Sequence, residues 1–149
     1  MAIERTFMML KPGVLPRRIV GEIITRIERK GFEIVGMKLM CVHRPLAEAH
    51  YLEHREKPFF QELVDYICSG PVIGMVLEGD GAISLLRNLC GATRAGEAAP
   101  GSIRGDYAVH TNFNIIHASD SQGSAAREID LFFKPEELID WKDGNNDWI

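Results

Sequence analysis

Cysteine is scarce in these 149 residues: Cys41, Cys68 and Cys90 are widely spaced and lie outside any C-x-x-C pattern. That argues against a disulfide framework or a thiolate metal site, and the three read as core thiols of a reducing compartment. Long apolar runs are missing as well. None approaches the roughly 18 residues of a membrane span, and the N-terminus lacks a signal-peptide pattern, so a cytoplasmic location without membrane partners is expected. Positive charge is not in excess. A net charge of -4 argues against wholesale nucleic-acid binding, yet leaves room for a locally basic pocket. Neither a G-x-x-x-x-G-K-[ST] loop nor a G-x-G-x-x-G turn occurs, so a site for a phosphorylated ligand would have to be made of side chains. There is no internal repeat and no linker, and the length suits one domain over residues 1–149.

What is present is a series of short, well-punctuated elements. Thr6-Phe7-Met8-Met9-Leu10 is an apolar run stopped by Lys11-Pro12-Gly13, a buried strand ending in a turn. Ile19, Val20, Ile23, Ile24 and Ile27 repeat at helical spacing up to Gly31. Phe32 to Val42 reads as a second strand, and Ala47 to Tyr51 as helical. Phe60, Leu63, Val64 and Ile67 mark a further helix, ended by Ser69-Gly70-Pro71. Val72 to Leu77 is a third strand and Ala82 to Leu89 the next helix. From Ala92 to Phe113 no periodicity is visible, and a loop of that length in a compact domain points to function. Ile115 and Ile116 then read as the end of a buried strand that delivers His117, with Ser119-Asp120-Ser121 capping a last helix. Trp141 and Trp148 in the polar tail are expected to pack across the domain or onto a neighbouring subunit. This order fits an α+β sandwich with helices on a small antiparallel sheet.

Several side chains at element ends suit a phosphate chain. Lys11, Arg87 and Arg104 are cations, with Thr93 and Asn114 as neutral hydrogen-bonding partners. A neutral histidine is a competent covalent phosphate acceptor, and a carboxylate on its other ring nitrogen would fix the tautomer; Glu128 lies one element downstream of His117. Composition places Phe59 in the core, because large aromatics are mostly buried. His50 and His54, four apart, would share a helix face, but without Cys-x-x-Cys companions zinc is a poor reading and no metal ligands are assigned.

The motifs Glu4-Arg5-Thr6-Phe7, Lys11-Pro12, Lys57-Pro58-Phe59-Phe60, Ser69-Gly70-Pro71-Val72 and Gly91-Ala92-Thr93 occur in this order. Ala99 to Asp106 (APGSIRGD) and Asn114 to Ser121 (NIIHASDS) follow. In this succession the chain resembles nucleoside diphosphate kinases from end to end. The resemblance implies a ferredoxin-like sandwich, a four-stranded antiparallel sheet with helices packed on it. It also implies ping-pong transfer of the γ-phosphate from a nucleoside triphosphate to a nucleoside diphosphate (ATP, ADP, GTP, GDP) through a phosphohistidine at His117. Phe59 becomes a plate under the base, with Leu63 beside it, and Lys11 and Asn114 meet the ribose. Arg87, Thr93 and Arg104 hold phosphates, with His54 as a further candidate. Tyr51 and Glu128 support His117. Mg2+ arrives bound to the nucleotide, and a homohexamer, or a homotetramer, is implied.

The sequence departs from the family pattern at Gly13-Val14, Arg94-Ala95, Phe113 and Ala118, which puts subunit contacts and turn shapes in question rather than the reaction. Ala118 is tolerated where glycine is commoner if its φ is negative. The alternative is a lapsed, nucleotide-binding regulatory module on the same fold. Joint retention of His117, Glu128, Lys11, Arg87, Arg104 and Asn114 speaks against it. A DNA-binding or nuclease role is disfavoured by the acidic balance.

Overall fold

The computed structural model describes residues 2–141 and 143–149. Strand β1 (Ile3–Leu10) is followed by a short helix α1 (Val14–Arg17), helix α2 (Val20–Lys30) and strand β2 (Glu33–Met40). Helices α3 (Arg44–His50) and α4 (Phe60–Ile67), strand β3 (Val72–Asp80) and helix α5 (Ala82–Cys90) come next. The chain closes with α6 (Ile103–Tyr107), strand β4 (Ile116–Ala118), helix α7 (Gln122–Phe132) and the tail. The sheet order is β2-β3-β1-β4, antiparallel throughout, as the sequence leads one to expect.

The central strand explains the architecture. Successive strand side chains point to opposite faces, and β1 alternates between two cores. Met8 and Leu10 join Ile23 and Ile27 of α2 and Leu86 of α5 on one face. Phe7 and Met9 join Val64 and Ile67 of α4 and Phe132 of α7 on the other. Helices therefore cover both faces, and β1 reads as a continuous apolar run rather than an alternating one.

Local chemistry sets several boundaries. Gly13 takes φ +98°, a left-handed conformation open to glycine at little cost, and starts α1, a turn that the sequence pattern did not reveal. The segment from Ala92 to Phe113 is not a bare loop. It contains α6, capped by the Ser102 hydroxyl accepting from the Gly105 N–H at 3.0 Å, and 3-10 turns at Ala95–Glu97 and Thr111–Phe113. Only Cys90 is a core thiol; Cys41 is exposed and Cys68 half-buried, which corrects the expectation for all three. In the tail, Ile139 N–H donates to Val35 O at 2.8 Å and the Trp141 indole N–H to Ile34 O at 2.9 Å, so the tail lies along β2. Trp148 does not pack across the chain: it is 87% exposed.

Gly91 links the fold to the site. It sits at φ +87° after α5, and an added Cβ would run into the Ser102 side chain that caps α6. Gly91→Ala is expected to cost about 1–3 kcal/mol. Urea unfolding should show a lower midpoint with an unchanged slope, and an unchanged midpoint would contradict the steric argument.

Candidate active site

His117 is placed by strand parity. Ile116 and Ala118 point into the core beneath α2 and α5, so His117, opposite Met9 of β1, points to the other face, toward α7 and α3. There α7 buries Ala125, Glu128 and Phe132 along one stripe, which brings a carboxylate to the imidazole. His117 Nε2 lies 2.9 Å from Glu128 Oε1. An ionised carboxylate can only accept, so Nε2 carries a proton, and in the neutral ring Nδ1 keeps its lone pair. Burial works to raise the Glu128 pKa, but hydrogen bonds from His117 and Ser119 and the neighbouring imidazoles outweigh it, and the carboxyl titrates below its ordinary range. The Ser119 hydroxyl donates to the same oxygen at 2.5 Å.

The approach to His117 is a strained turn. Ile115, β-branched, adopts φ +63°, a sparsely populated conformation for such a residue. Its carbonyl accepts the Lys11 N–H at 2.8 Å, while Ile116 N–H bonds back to Asn114 O at 2.7 Å. Strain of this kind persists only where surrounding contacts over-determine it. Here the clamp is Arg104. Its guanidinium is nearly fully buried and donates to Gly91 O at 2.8 Å, Asn114 O at 3.3 Å and Ile116 O at 2.6 Å. That leaves two of its five N–H groups for other partners.

Lys11 is 7% exposed, and its ammonium donates to Asn114 Oδ1 at 2.7 Å. The Asn114 amide in turn donates to Thr93 O at 3.2 Å. Burial, then the charge of Arg104, lowers the Lys11 pKa to about 7. Arg87 donates to Ala118 O at 3.1 Å. Among the described residues, none of these three cations has a carboxylate partner. Thr93 is exposed at the rim.

Phe59 is 42% exposed at the start of α4, which overturns its expected place in the core. A run of rings leads from it to the nucleophile: Phe59 to His54 at 5.6 Å, His54 to Tyr51 at 6.5 Å, Tyr51 to His50 at 4.6 Å and His50 to His117 at 4.8 Å. Leu63 is half-buried one turn along α4. The nearest ring recorded for Tyr51 is that of His50. Its hydroxyl has no hydrogen-bond partner among the described residues, and burial pushes its pKa up.

Sequence reasoning missed two neighbours of His117. Ser119 was read only as part of the helix-capping turn, although Ser121 is the residue that caps α7. His50 was paired with His54 on a helix face, but α3 ends at His50 and His54 lies in a 3-10 turn, so they share no such face. His50 is buried against His117 instead, and burial, with the charge of His117, lowers its pKa to about 3.

A carboxylate-oriented histidine, with nearby cations that lack acid partners, lies on a β2-β3-β1-β4 antiparallel sheet, which defines a ferredoxin-like α+β protein. The family model for nucleoside diphosphate kinase matches residues 4–138. A nucleoside diphosphate kinase of Treponema pallidum is 55% identical over 149 residues, covering all of both chains. One from Archaeoglobus fulgidus is 56% identical over 147 residues, covering 99% of this chain and 97% of its own. The structure of a halophilic nucleoside diphosphate kinase from Halobacterium salinarum in complex with CDP superposes with a TM-score of 0.96 at 49% identity, covering 99% of this chain and 98% of that one. The chain belongs to the nucleoside diphosphate kinase family. Ala118, where glycine is commoner in the family, is not among the residues with positive φ, so its methyl is accommodated.

A buried lysine whose pKa is depressed destabilises the fold while it is charged. Below about 7 Lys11 is protonated folded and unfolded, and the burial cost is felt in full; it disappears as pH rises toward the ordinary 10.5. Each tenfold change in proton affinity corresponds to about 1.4 kcal/mol. Lys11→Met, measured without nucleotide, is therefore expected to be more stable than the parent at pH 6, with the gain narrowing above neutrality. Urea midpoints across pH check this, and a less stable variant at pH 6 would contradict it.

Proposed function

We propose that this chain transfers the terminal phosphate of a nucleoside triphosphate to a nucleoside diphosphate through a phosphohistidine at His117. The observation that carries the reading is the 2.9 Å contact between His117 Nε2 and Glu128, which in the neutral ring puts the lone pair on Nδ1, near cations that have no acid partners. Nδ1 attacks the γ-phosphorus, the bond to the β-phosphate oxygen breaks, and a nucleoside diphosphate leaves. As the imidazole loses its lone pair it gains positive charge, which Glu128 balances across the ring. A second diphosphate then attacks the phosphohistidine along the same line.

The other residues take roles that follow from their placement. Lys11 and Asn114, already bonded to each other, present donors to ribose hydroxyls. Arg87, Thr93 and the spare N–H groups of Arg104 hold phosphate oxygens, with His54 nearby. Phe59, exposed beside Leu63, offers a flat face to any base. Tyr51 packs behind His50 and supports the His117 environment. The donors lining the phosphate site are ammonium, guanidinium, hydroxyl and amide groups, and its carboxylate is engaged by His117 and Ser119. Such a set suits Mg2+ that enters on the nucleotide rather than in a protein cage. Met37 and Leu39, exposed on edge strand β2, and exposed Val109 and Phe113 favour assembly into a homo-oligomer, a hexamer or a tetramer.

Incubation with γ-labelled ATP and Mg2+ is expected to give acid-labile, base-stable label on the protein, absent in His117→Ala and discharged by GDP. Label that survives His117→Ala would overturn the assignment. Phe59→Ala is expected to weaken binding of adenine, guanine and pyrimidine nucleotides alike, by about 1–3 kcal/mol, since stacking does not read base edges. A loss confined to one base in equilibrium binding would remove Phe59 from that role.

A further inference from the structure

His50 is a buried ionisable group beside His117 that the transfer reaction does not use. It is 3% exposed, and neither of its ring nitrogens has a hydrogen-bond partner among the described residues. A buried polar group left unpaired is costly and calls for a partner. Its ring stands edge-on to His117, with centroids 4.8 Å apart and an interplanar angle of 87°. Glu128 Oε2 faces the same spot. Its neighbours there are His50 Nδ1 at 3.6 Å and Arg127 at 3.8 Å, both beyond ordinary hydrogen-bond length. One ligand atom each from His50, His117 and Glu128 lies within 4.8 Å of the others.

Two imidazoles and a carboxylate whose ligand atoms lie this close offer the donor set of a late first-row divalent cation, with a coordination position left for water. We propose that His50, His117 and Glu128 form an inhibitory site for a zinc-type divalent cation, separate from the Mg2+ carried by the nucleotide. Nitrogen donors discriminate between the two ions: imidazole suits zinc, whereas Mg2+ demands oxygen ligands and keeps its waters. Entry is through His117, whose side chain is 22% exposed.

The consequence follows from proton bookkeeping on one ring. In the metal-free site the proton sits on Nε2 and the lone pair on Nδ1. Coordination uses the Nε2 lone pair, so the Nε2–H bond breaks, its proton leaves to solvent, and Nδ1 takes one up. The ring stays neutral, no net proton is released, and Glu128 exchanges a hydrogen bond for a metal bond. Nδ1 is then an N–H group with no lone pair to attack phosphorus. Metal binding stands on geometry alone. The block on transfer rests on the proposed role of His117, and the two are tested separately.

Binding is read on the full-length protein with Co2+ as probe and, using 15N-histidine NMR, with Zn2+. Co2+ should give an intense visible band saturating at about one equivalent per chain. Zn2+ should move the His117 proton from Nε2 to Nδ1 in the NMR spectrum. The block is read as label uptake from γ-labelled ATP at saturating Mg2+, which Zn2+ should suppress and EDTA with fresh Mg2+ restore. His50→Gln should lower the sensitivity to Zn2+ at least ~10-fold, and the wild-type NMR readout stands even if that variant folds poorly. No cobalt band, an unmoved His117 tautomer, or Zn2+ inhibition that follows Cys41→Ser rather than His50→Gln would overturn the site. Metal binding by a protein that takes up no label even when metal-free would sink the His117 transfer reading and leave the site standing.

Discussion

Glu128 is a charged carboxylate in a place that water barely reaches, and the active face of the protein is arranged around keeping it ionised there. An isolated buried carboxylate would simply take up a proton. The donors that prevent this, His117 and Ser119, both come from the β4 segment and its following turn, while Glu128 comes from α7. Strand and helix are thereby held in one register, and the helix keeps it because Ala125 and Phe132 on the same stripe are buried in the core. The interaction that sets the histidine tautomer is thus also a tertiary clamp, and chemistry and fold cannot be varied independently at this point.

A second constraint lies on the other side of His117. The chain must turn sharply between the 3-10 turn at Thr111–Phe113 and β4, and it does so by forcing Ile115 into the left-handed region. The turn is closed by a cation: Arg104 collects the carbonyls of Gly91, Asn114 and Ile116, tying the end of α5 and the two flanks of the strained residue together. Asn114 is locked from three directions, with Lys11 on its amide oxygen, Thr93 O on its amide nitrogen and Arg104 on its carbonyl. If Lys11 and Asn114 meet a ribose as proposed, a pair held this way needs no reorganisation when ligand arrives.

Much of this was legible in the sequence, and what was not has identifiable causes. Strands and long helices announce themselves because apolar periodicity over eight or more residues leaves little ambiguity. Glu128 could be picked out because it follows the histidine by one helix. Ser119 could not: its hydrogen bond to Glu128 spans nine residues across a turn, and a serine before a helix looks like a cap whatever else it does. The segment from Ala92 to Phe113 looked irregular because five-residue helices and single 3-10 turns are too short to show a period. Ile115 read as strand from its β-branch, and only the demands of the packed turn put it at positive φ. Phe59 was misplaced by composition, since hydrophobicity measures the tendency to leave water and not whether a surface is reserved for a ligand. The motif resemblance pointed instead to an exposed ring, and Phe59 is 42% exposed.

The partners of the candidate-site cations set them apart from the acid-paired cations of the protein. Several cations elsewhere are paired with acids, as in Arg5 with Glu78 and Asp140, Arg26 with Asp106 and Lys38 with Glu137. At the site Lys11, Arg87 and Arg104 are instead held by carbonyl and amide oxygens. A neutral dipole orients a cation without cancelling its charge, so the full monopole remains for an incoming anion; a carboxylate in the same position would compete with it. Burial then raises the effect, because a charge on Lys11 with a lowered proton affinity is poorly solvated and gains most from a counter-ion. The acid that touches the histidine, Glu128, sits at Nε2, so its negative charge acts on the ring from the side away from Nδ1. Arg87 and Arg104 hold the carbonyls of Ala118 and Ile116, on either side of His117 in the chain, while Glu128 holds its Nε2. Under the proposed mechanism, this division of charge is what lets a histidine in such a setting accept phosphate.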